Sequence, residues 1–364
     1  MNGTKGERYV VAMSGGVDSS VSAALAARQG GDLVGLSMQL YDQTQNGGAS
    51  FGRCCTPADL ADARRVAERV GIPHYVMNFE ADFRRHVLDY FATEYRQGRT
   101  PIPCIPCNST LKFGRLLERA RTLGASKVIT GHYARVDYVE ESGRWRLRAG
   151  VDRERDQSYF LFFLSQEQLA AAVFPLGELH KHEVRALARQ FDLPVAEKAE
   201  SRDLCFVAGG SYRDVLDRDP TGVDESGEVV DGAGKVLGRH AGVSHFTVGQ
   251  RRGLGVSSVR PLYVLSLDAG TKRVVVGAED EQYSRSLVAR NAQWIFQDAP
   301  SRPFDASVRV RYRHGGAPGR VYPASGGEFR VEFQEPQRAI SPGQAVVLYR
   351  DDEVLGGGWI HSSS

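Results

Sequence analysis

The 364-residue chain lacks any apolar run that approaches the length of a membrane span, and its first residues lack the hydrophobic core of a signal peptide. It also lacks an excess of either charge, because 46 Lys and Arg residues oppose 44 Asp and Glu residues for a net charge of +2. With 41% hydrophobic and 25% charged residues, the composition predicts a globular cytoplasmic protein of two or three domains. A nucleic-acid partner would therefore have to bind local basic patches rather than a uniformly basic surface.

Cysteine is scarce. Five cysteines in a chain expected in a reducing compartment are more typical of catalytic or metal-binding sites than of structural disulfides. Cys54 and Cys55 are adjacent in a Gly-rich loop, where two good ligands for one metal ion rarely fit, so we interpret them as structural. Cys104, Cys107 and Cys205 remain candidates for chemistry.

Two common phosphate-binding motifs are absent as well. The glycine loop SGGVDSS at residues 14–20 has no Lys-Ser/Thr pair of a Walker motif after it, and it does not match G-x-G-x-x-G. It lies between a β-branched apolar run at 8–13 and an Ala-rich segment at 21–30, which predicts a strand, a tight loop and a helix. Backbone N–H groups, serine hydroxyls and the positive helix end would converge on a phosphate, although a plain strand-to-helix turn is the alternative.

This loop resembles the SGGxDS loop of the PP-loop ATP pyrophosphatases. The resemblance implies that the chain grips the β,γ-pyrophosphate of ATP and splits ATP into AMP and pyrophosphate. It also implies that Asp18 helps to hold the Mg²⁺ ion that bridges the phosphates.

Strand and helix patterns alternate through the first half of the chain. Strands are predicted at 8–13, 32–38, 72–79 and 127–130, and helices at 21–30, 57–70, 81–97, 109–123, 166–174 and 181–191. Such repeats build a Rossmann-like parallel sheet, which binds ligands beyond the carboxyl ends of its strands. The phosphate loop, Met38 and the Gly131-His132 pair each follow a predicted strand, so we expect them to meet at one crevice.

Beyond residue 206 the helical periodicity fades, and short apolar runs alternate with Gly-rich turns. Runs at 261–267, 273–277, 307–312, 329–333 and 345–349 predict one or two small β domains that include a C-terminal β-barrel. The predicted fold class is α/β, with a PP-loop ATP-binding catalytic domain at 1–205, a central β-rich domain at 206–280 and the barrel at 281–364.

A Cys-x-x-Cys motif stands among the prolines of residues 100–109. The prolines stiffen the approach, and Asn108 or Ser109 could cap the helix that follows, which predicts that Cys107 lies at a helix N-terminus where its thiolate is stabilised. The motif alone is compatible with redox, zinc or iron–sulfur chemistry, or with two buried structural thiols. Cys205, at the end of the helical half, could face the same crevice.

Eight blocks in order resemble those of the tRNA-specific 2-thiouridylases of the MnmA type, over nearly the whole chain. They are MSGGVDSS at 13–20, ADLADA at 58–63, GRTPIP at 98–103 with Cys107-Asn108 and Lys112-Phe113, TGHY at 130–133, DQSYFL at 156–161, FPLG at 174–177, GQRRGLG at 249–255 and SPGQ at 341–344. The resemblance implies ATP-dependent sulfur transfer to C2 of the wobble uridine, U34, in the tRNAs for Lys, Glu and Gln. It also implies a sulfur-donor protein, such as a cysteine desulfurase or a sulfur relay, and a tRNA-binding role for the barrel.

The resemblance also assigns roles to individual residues. ATP would lie against Ala12, Met13, Ser14, Gly15, Gly16, Val17, Asp18 and Ser19, with Met38 and Gly131 beside the adenosine. Target-base contacts are implied for Ile102, Pro103 and Cys104, and other tRNA contacts for His132, Arg155, Asp156, Gln157, Arg311, Tyr312 and Gln344. The persulfide would form on Cys205 and Cys107 would be the nucleophile that releases its sulfur, so these two residues and Asp18 are the predicted catalytic residues.

One position departs from the commonest family pattern, which has Asp where this chain has Cys104. Three cysteines could therefore bind a [4Fe–4S] cluster through Cys104, Cys107 and Cys205, with one iron open to carry sulfide. A cysteine persulfide relay is the other route. Both routes need Cys107 and Cys205, and only the cluster clearly needs Cys104.

Arginines recur early in the C-terminal β domain. A strand over 307–312 would put Arg309, Arg311 and Arg313 on one face, where they could bind RNA phosphates. Further candidates are Lys112, Arg115 and Arg119 on one helix, and Arg251-Arg252 in a Gly-rich loop. An ordinary solvated face is the alternative for the strand and the helix.

Two other functions are compatible with parts of the sequence. A PP-loop ligase or amidotransferase-type enzyme would also adenylate an oxygen, but it would use an amine or ammonia and would need neither Cys107 nor Cys205. A non-catalytic tRNA-binding protein would need neither an intact Asp18 nor the two thiols. Both alternatives leave the cysteine pattern unexplained.

Overall fold

This computed structural model describes residues 7–41, 56–199, 204–207, 212–217 and 225–364, which form two units. Strands rich in buried β-branched residues form the centre of the first unit. The first unit comprises the described residues within 1–86, 104–211 and 352–354. Its strands are β1 (Arg8–Ala12), β2 (Asp32–Gln39), β3 (His74–Asn78), β4 (Ala125–Ile129), β5 (Ala134–Val139), β6 (Arg144–Ala149) and β7 (Ala172–Val173).

Five of these strands form a parallel sheet in the order β3-β2-β1-β4-β7. Val10 and Val11 of β1 are fully buried, as expected where both faces of a parallel sheet are covered. The strands β5 and β6 form an antiparallel hairpin. The helical segments of this part of the chain are Val17–Arg28, Pro57–Val70, Glu80–Phe83, the π-helical Arg84–Leu88, Cys104–Pro106, the π-helical Cys107–Arg115, Leu116–Thr122, the 3-10 turn Ser158–Phe160, Gln166–Ala171 and Lys181–Gln190.

Local sequence signals determine where the helix Pro57–Val70 begins and ends. Thr56 is the N-cap, and its hydroxyl accepts a hydrogen bond from the N–H of Asp59 at 3.1 Å. Pro57 occupies the first helical position, where no N–H is needed, and Gly71 ends the helix with φ +80°. The predicted limits of this helix are confirmed.

The second unit comprises the described residues within 87–103, 212–351 and 355–364. Its strands are β8 (Gly227–Val230), β9 (Val236–His240), β10 (Tyr263–Asp268), β11 (Arg273–Gly277), β12 (Tyr283–Trp294), β13 (Phe304–Arg309), β14 (Ala317–Pro323), β15 (Phe329–Arg338), β16 (Ala345–Arg350) and, from Leu355 onward, β17 (Glu353–Ser363). Its helical segments are Asp89–Arg96, Tyr212–Asp217, Val243–His245, Asp280–Gln282 and Ser325–Gly327.

Strands β8 to β11 form a four-stranded sheet in the order β10-β11-β8-β9. Strands β12 to β17 close a six-stranded barrel, in the order β12-β15-β14-β13-β16-β17 and back to β12. Fully buried Val308, Val321, Val331, Leu348 and Leu355 contribute to its core. At the closing seam, a Cβ on Gly356 would lie 2.3 Å from the carbonyl oxygen of Gln293, so only glycine fits. The predicted α/β fold with a C-terminal barrel is confirmed.

Three sequence-based assignments of helices are corrected. The helix predicted at 166–174 ends at Ala171, and Val173 then pairs with β4, because the residue before Pro175 disfavours helical backbone and the chain is already extended at Ala172. The helix predicted at 81–97 contains the π-helical turn Arg84–Leu88. A short helix, Tyr212–Asp217, lies in the region predicted to lack helices.

The strand predicted at 307–312 ends at Arg309. The chain then turns, with the N–H of His314 donating to the carbonyl of Arg311 at 3.0 Å, and Gly316 follows with φ +90°. Arg309, Arg311 and Arg313 therefore do not share one strand face. Arg309 instead lies 4.2 Å from the ring centroid of Tyr349 in a cation–π contact.

Helices long and apolar enough to span a bilayer are absent from the described ranges.

Candidate active site

The phosphate loop connects β1 to the helix Val17–Arg28. Gly15 has φ +72°, and a Cβ there would lie 2.1 Å from the carbonyl oxygen of Asp59, so both the backbone conformation and the close packing require glycine. Gly16 is the N-cap and offers no side-chain acceptor to the first N–H groups of the helix. Those N–H groups, at the positive end of the helix dipole, are therefore suited to bind an anion.

Serine hydroxyls hold this loop in shape. Ser19 Oγ lies 3.2 Å from Ser14 Oγ, accepts from the N–H of Ser14 and donates to the carbonyl of Gly16. Gly131 packs directly on the loop, since a Cβ there would lie 2.8 Å from the backbone nitrogen of Ser19. Met38 is half-buried on the neighbouring β2, in register with Met77 of β3. The predicted meeting of the loop and Gly131 is present, while their role as ATP contacts stays a prediction.

Asp18 is held by two residues that the sequence reasoning missed. The Tyr133 hydroxyl donates to Asp18 Oδ1 at 2.8 Å, and Lys181 Nζ donates to the same oxygen at 2.6 Å. The Lys181 side chain is only 12% exposed, whereas that of Asp18 is 34% exposed. The ammonium thus fixes a carboxylate that still reaches solvent at the mouth of the phosphate loop.

Lys198 anchors the loop from its other side. Its ammonium donates to the carbonyl of Gly15 at 2.9 Å, to Asp59 Oδ1 at 2.5 Å and to Asp62 Oδ2 at 2.6 Å. Burial alone would raise the pKa of Asp62, but the hydrogen bonds from Lys198 and Arg65 hold that pKa below its ordinary value. Because Asp59 packs against Gly15 and Lys198 binds both residues, the helix Pro57–Val70 and the loop are fixed to each other.

Replacing Lys198 with methionine is expected to lower the unfolding free energy by about 1–3 kcal/mol, since charged hydrogen bonds to Asp59 and Asp62 are lost. The loop also loses its anchor at Gly15, so we expect the KM for ATP to rise about tenfold, which corresponds to roughly 1.4 kcal/mol. Thermal unfolding and ATP titration of the initial rate measure the two effects. Lys235→Met, at an exposed lysine of the second unit, is the matched control; equal effects in both variants would contradict the anchoring role.

A chain of polar contacts joins the phosphate loop to the cysteine helix. His132 follows Gly131; its Nδ1 lies 2.6 Å from Thr130 Oγ1 and its Nε2 lies 3.4 Å from Lys112 Nζ. Lys112 donates to Asn108 Oδ1 at 2.9 Å, and Asn108 is adjacent to Cys107. Asn108 in turn donates to the carbonyl of Phe160 at 3.1 Å. The strand end that packs on the loop and the helix that carries Cys107 are thus fixed to each other.

His132 is 8% exposed, and burial, followed by the positive charge of Lys112, holds its pKa well below the ordinary value of 6.5. The imidazole is therefore neutral at physiological pH in the folded chain. Its predicted contact with tRNA stays a prediction.

The stability of the first unit is expected to fall as the pH drops from 7 to 5, because the unfolded imidazole takes up a proton that the folded one refuses. A single histidine contributes at most about 1.4 kcal/mol per pH unit in this range. His132→Gln should remove that part of the slope, whereas His361→Gln, at an exposed histidine, should not. Denaturant unfolding at several pH values measures it, and equal slopes in the parent and His132→Gln would contradict the assignment.

The cysteine motif begins a helix rather than preceding one. The helical backbone starts at Cys104, three residues before the predicted start, and Cys107 is the first residue of the π-helical segment Cys107–Arg115. Ser109 does not cap it, since its hydroxyl donates to the carbonyl of Ile105 at 3.0 Å. Pro106 fits inside the first turn because N–H groups there have no intrahelical acceptor. Cys104 and Cys107 are both half-buried.

Cys205 belongs to the same unit and is also half-buried. Its neighbour Phe206 packs edge-on against Phe83, with 6.2 Å between ring centroids. The segment Glu80–Phe83 meets the cysteine helix through Asp82, whose carboxylate lies 3.5 Å from Arg115. Packing thus links the Cys205 segment to the helix that starts with the Cys-x-x-Cys motif.

The three cysteines do not fit a cluster site. Within the described ranges, which include all three, no group of three His, Cys, Asp or Glu side chains is placed to hold a metal ion. We therefore derive no step through a [4Fe–4S] cluster. Cys54 and Cys55 lie outside the described residues.

Two of the predicted tRNA contacts in the first unit stabilise their own loop. Asp156 is 3% exposed and accepts hydrogen bonds from the N–H groups of Gly150 and Ser158 at 3.2 and 3.0 Å. Gln157 accepts from the N–H of Tyr133 at 3.1 Å. Arg155 is half-buried beside them. This loop therefore supports Tyr133 and, through it, Asp18.

The second unit gathers other predicted tRNA contacts around one cavity of about 360 Å³. Arg311 and Gln344 line it, together with Arg338, Gln282 and Ser341. Arg311 is exposed and donates to the carbonyl of Arg338 at 3.1 Å, and Gln344 donates to the carbonyl of Thr100 at 3.0 Å. The remaining predicted contacts are the half-buried Tyr312 and the buried Ile102 and Pro103.

Comparison with known proteins shows the family to which the chain belongs. Consecutive parts of the chain match family models described as a tRNA methyl transferase HUP domain at 7–209, a tRNA methyl transferase PRC-barrel domain at 219–278 and an aminomethyltransferase beta-barrel domain at 284–360. The tRNA-specific 2-thiouridylase MnmA of Geotalea uraniireducens is 50% identical over 359 residues, which cover 98% of this chain and 95% of that protein. The MnmA of Geobacter metallireducens is 49% identical over 360 residues, or 98% and 97% of the two chains.

The chain belongs to the tRNA-specific 2-thiouridylase family. The predicted family membership is confirmed. Among solved structures, the NMN synthetase of Francisella tularensis aligns with 57% of this chain and 75% of its own, at 22% identity and a TM-score of 0.34.

In this member of the 2-thiouridylase family, the loop could be predicted from the sequence, but three residues that support it were missed: Tyr133, Lys181 and Lys198. Tyr133 closes the TGHY block and was available as a signal, because an aromatic hydroxyl one residue beyond His132 can reach the loop. Lys181 and Lys198 carry no local pattern that distinguishes them from solvated lysines. Their roles appear only when the chain folds back on the loop.

Proposed function

We propose that this chain catalyses the ATP-dependent 2-thiolation of the wobble uridine, U34, of the tRNAs for Lys, Glu and Gln. The observation that carries the proposal is the chain of contacts from the phosphate loop through His132, Lys112 and Asn108 to the cysteine helix. The chain is about 50% identical to named 2-thiouridylases over nearly its full length, which supports the same reaction. An enzyme that activates a base and then transfers sulfur needs these two sites close together.

ATP is the substrate that we assign to the phosphate loop. Gly15, Gly16 and the first turn of the helix Val17–Arg28 would bind its phosphate oxygens through backbone N–H groups. A Mg²⁺ ion fits the carboxylate of Asp18 and would neutralise phosphate charge when bound. The hydrogen bond from Lys181 holds the Asp18 carboxylate in position.

The uridine would enter the site flipped out of the anticodon loop, at modest cost because that loop is single-stranded. Its C2 oxygen would attack the α-phosphorus of ATP and expel pyrophosphate. The product is an adenylated base, in which AMP replaces a poor oxygen leaving group. Buried, neutral His132 would line this region without adding a positive charge.

Sulfur would arrive as a persulfide on Cys205, formed by a partner such as a cysteine desulfurase or a sulfur relay. Its terminal sulfur attacks C2 of the adenylated base and expels AMP. The Cys107 thiolate then attacks Cys205 Sγ, the sulfur–sulfur bond breaks, and 2-thiouridine leaves. This route uses the cysteines as thiols and requires no metal site.

The experiment is nucleoside analysis of bulk tRNA from cells with and without the gene. Loss of 2-thiouridine on deletion, with recovery on re-expression, is the expected result. Unchanged 2-thiouridine would overturn the proposal and favour a PP-loop ligase that uses an amine. Sequencing of the affected tRNAs tests the assignment to Lys, Glu and Gln.

A further inference from the structure

Cys104 and Cys107 lie one turn apart on the same helix, and each is half-buried. Helix geometry puts the Cα atoms of residues three apart at about 5 Å from each other. Disulfides join Cα atoms about 4.4–6.8 Å apart. This pair can therefore be oxidised with little movement of the backbone, as in other Cys-x-x-Cys pairs with reactive thiols.

The backbone just after the pair is pinned by contacts from distant parts of the first unit. Asn108 donates to the carbonyl of Phe160 at 3.1 Å, and Gln168 donates to the carbonyl of Ser109 at 2.7 Å. The start of this helix is thus held in place from two sides. A sulfur on Cys107 stays within reach of Cys104, which raises the effective concentration of one thiol at the other.

The proposed reaction leaves the enzyme oxidised. When Cys107 attacks Cys205 Sγ, the two electrons of the broken persulfide bond leave with the sulfur of 2-thiouridine. A disulfide then joins Cys107 to Cys205. Cys205 cannot accept another sulfur until that disulfide opens.

We propose that Cys104 is the resolving thiol that reopens this site, an inference that rests on the proposed function. The Cys104 thiolate attacks Cys107 Sγ, a Cys104–Cys107 disulfide forms, and Cys205 leaves as a thiolate. A dithiol reductant of the thioredoxin class then supplies two electrons and two protons to the Cys104–Cys107 disulfide. Cys205 is then free to accept the next persulfide sulfur, because the reductant has to reach only the Cys104–Cys107 disulfide at the start of the helix.

The test is the identity of the disulfide after one turnover. The full-length protein is loaded with a cysteine desulfurase and cysteine, freed of reductant, and given ATP and tRNA; it is then quenched in acid, alkylated and mapped by mass spectrometry. The parent should carry a Cys104–Cys107 disulfide and an alkylated Cys205. Cys104→Ser should carry a Cys107–Cys205 disulfide, and its later turnovers should slow several-fold at limiting dithiol and recover at high dithiol.

A Cys107–Cys205 disulfide in the parent would overturn the inference, as would later turnovers of Cys104→Ser at the parental rate. A parent that forms no 2-thiouridine would instead overturn the proposed function. A second measurement needs no turnover: Cys205→Ser should form a Cys104–Cys107 disulfide that titrates reversibly against a dithiol buffer. If alkylation finds both thiols reduced across the whole titration, the pair cannot resolve anything and the inference fails.

Discussion

Replacing Cys107 with serine is expected to reduce the formation of 2-thiouridine by at least about a thousandfold, since the proposed nucleophile of the sulfur-transfer step is lost. In the proposed mechanism, activation of the base does not use this side chain. The variant should therefore still release one pyrophosphate per enzyme in a burst that depends on tRNA. Rapid-quench measurement of pyrophosphate and mass spectrometry of the nucleosides separate the two steps.

Ser109→Ala is the matched control for Cys107→Ser. Ser109 lies two positions further along the same helix, and its hydroxyl donates to the carbonyl of Ile105, so its loss tests local disturbance of the helix. The control should retain both the pyrophosphate burst and thiolation. If Cys107→Ser yields thiolated tRNA at more than a few per cent of the parental amount, Cys107 is not the nucleophile of the reaction.

The phosphate loop could be predicted from sequence because its signals are local. Adjacent glycines, a serine hydroxyl and the flanking strand and helix all lie within residues 8–30, and the structure places the strand, the loop and the helix there in that order. The requirement for glycine at residue 15 has a second cause that the sequence does not reveal. The carbonyl of Asp59 lies where a Cβ would be, more than forty positions away.

The supports of the site could not be predicted in the same way. Lys198 reaches Gly15 across 183 positions, and Lys181 reaches Asp18 across 163. Helix periodicity describes the face on which a lysine lies, but not the carboxylate that folds against it. Long-range ion pairs are set by tertiary packing, so an isolated lysine in a helical pattern is interpreted as solvated until the fold is known.

Local conflicts explain the errors at the cysteine helix and the barrel. Pro106 suggested an extended approach to the helix. A proline is tolerated in the first turn of a helix, because an N–H there would have no intrahelical acceptor, and the helix begins at Cys104. Alternation at 307–312 suggested one continuous strand. The burial of Val308 and Val310 continues that alternation past the strand end at Arg309, so the pattern reflects packing rather than strand pairing.

Replacing Asp18 with asparagine is expected to abolish the pyrophosphate burst and thiolation together, each by at least about a hundredfold. Asparagine keeps the shape of the side chain but removes the charge that a bound Mg²⁺ would require. It also leaves the ammonium of Lys181, which is 12% exposed, without its carboxylate. We therefore expect some loss of stability, about 1–3 kcal/mol, besides the loss of activity.

The double variant Asp18→Asn with Lys181→Met separates these two effects. Removing the ammonium along with the carboxylate avoids an uncompensated charge, so the double variant should regain most of the lost thermal stability. It should regain no pyrophosphate release, because the carboxylate proposed to bind Mg²⁺ is still missing. If the double variant recovers activity along with stability, Asp18 acts only as the structural partner of Lys181, and the assignment of Asp18 to phosphate chemistry is wrong.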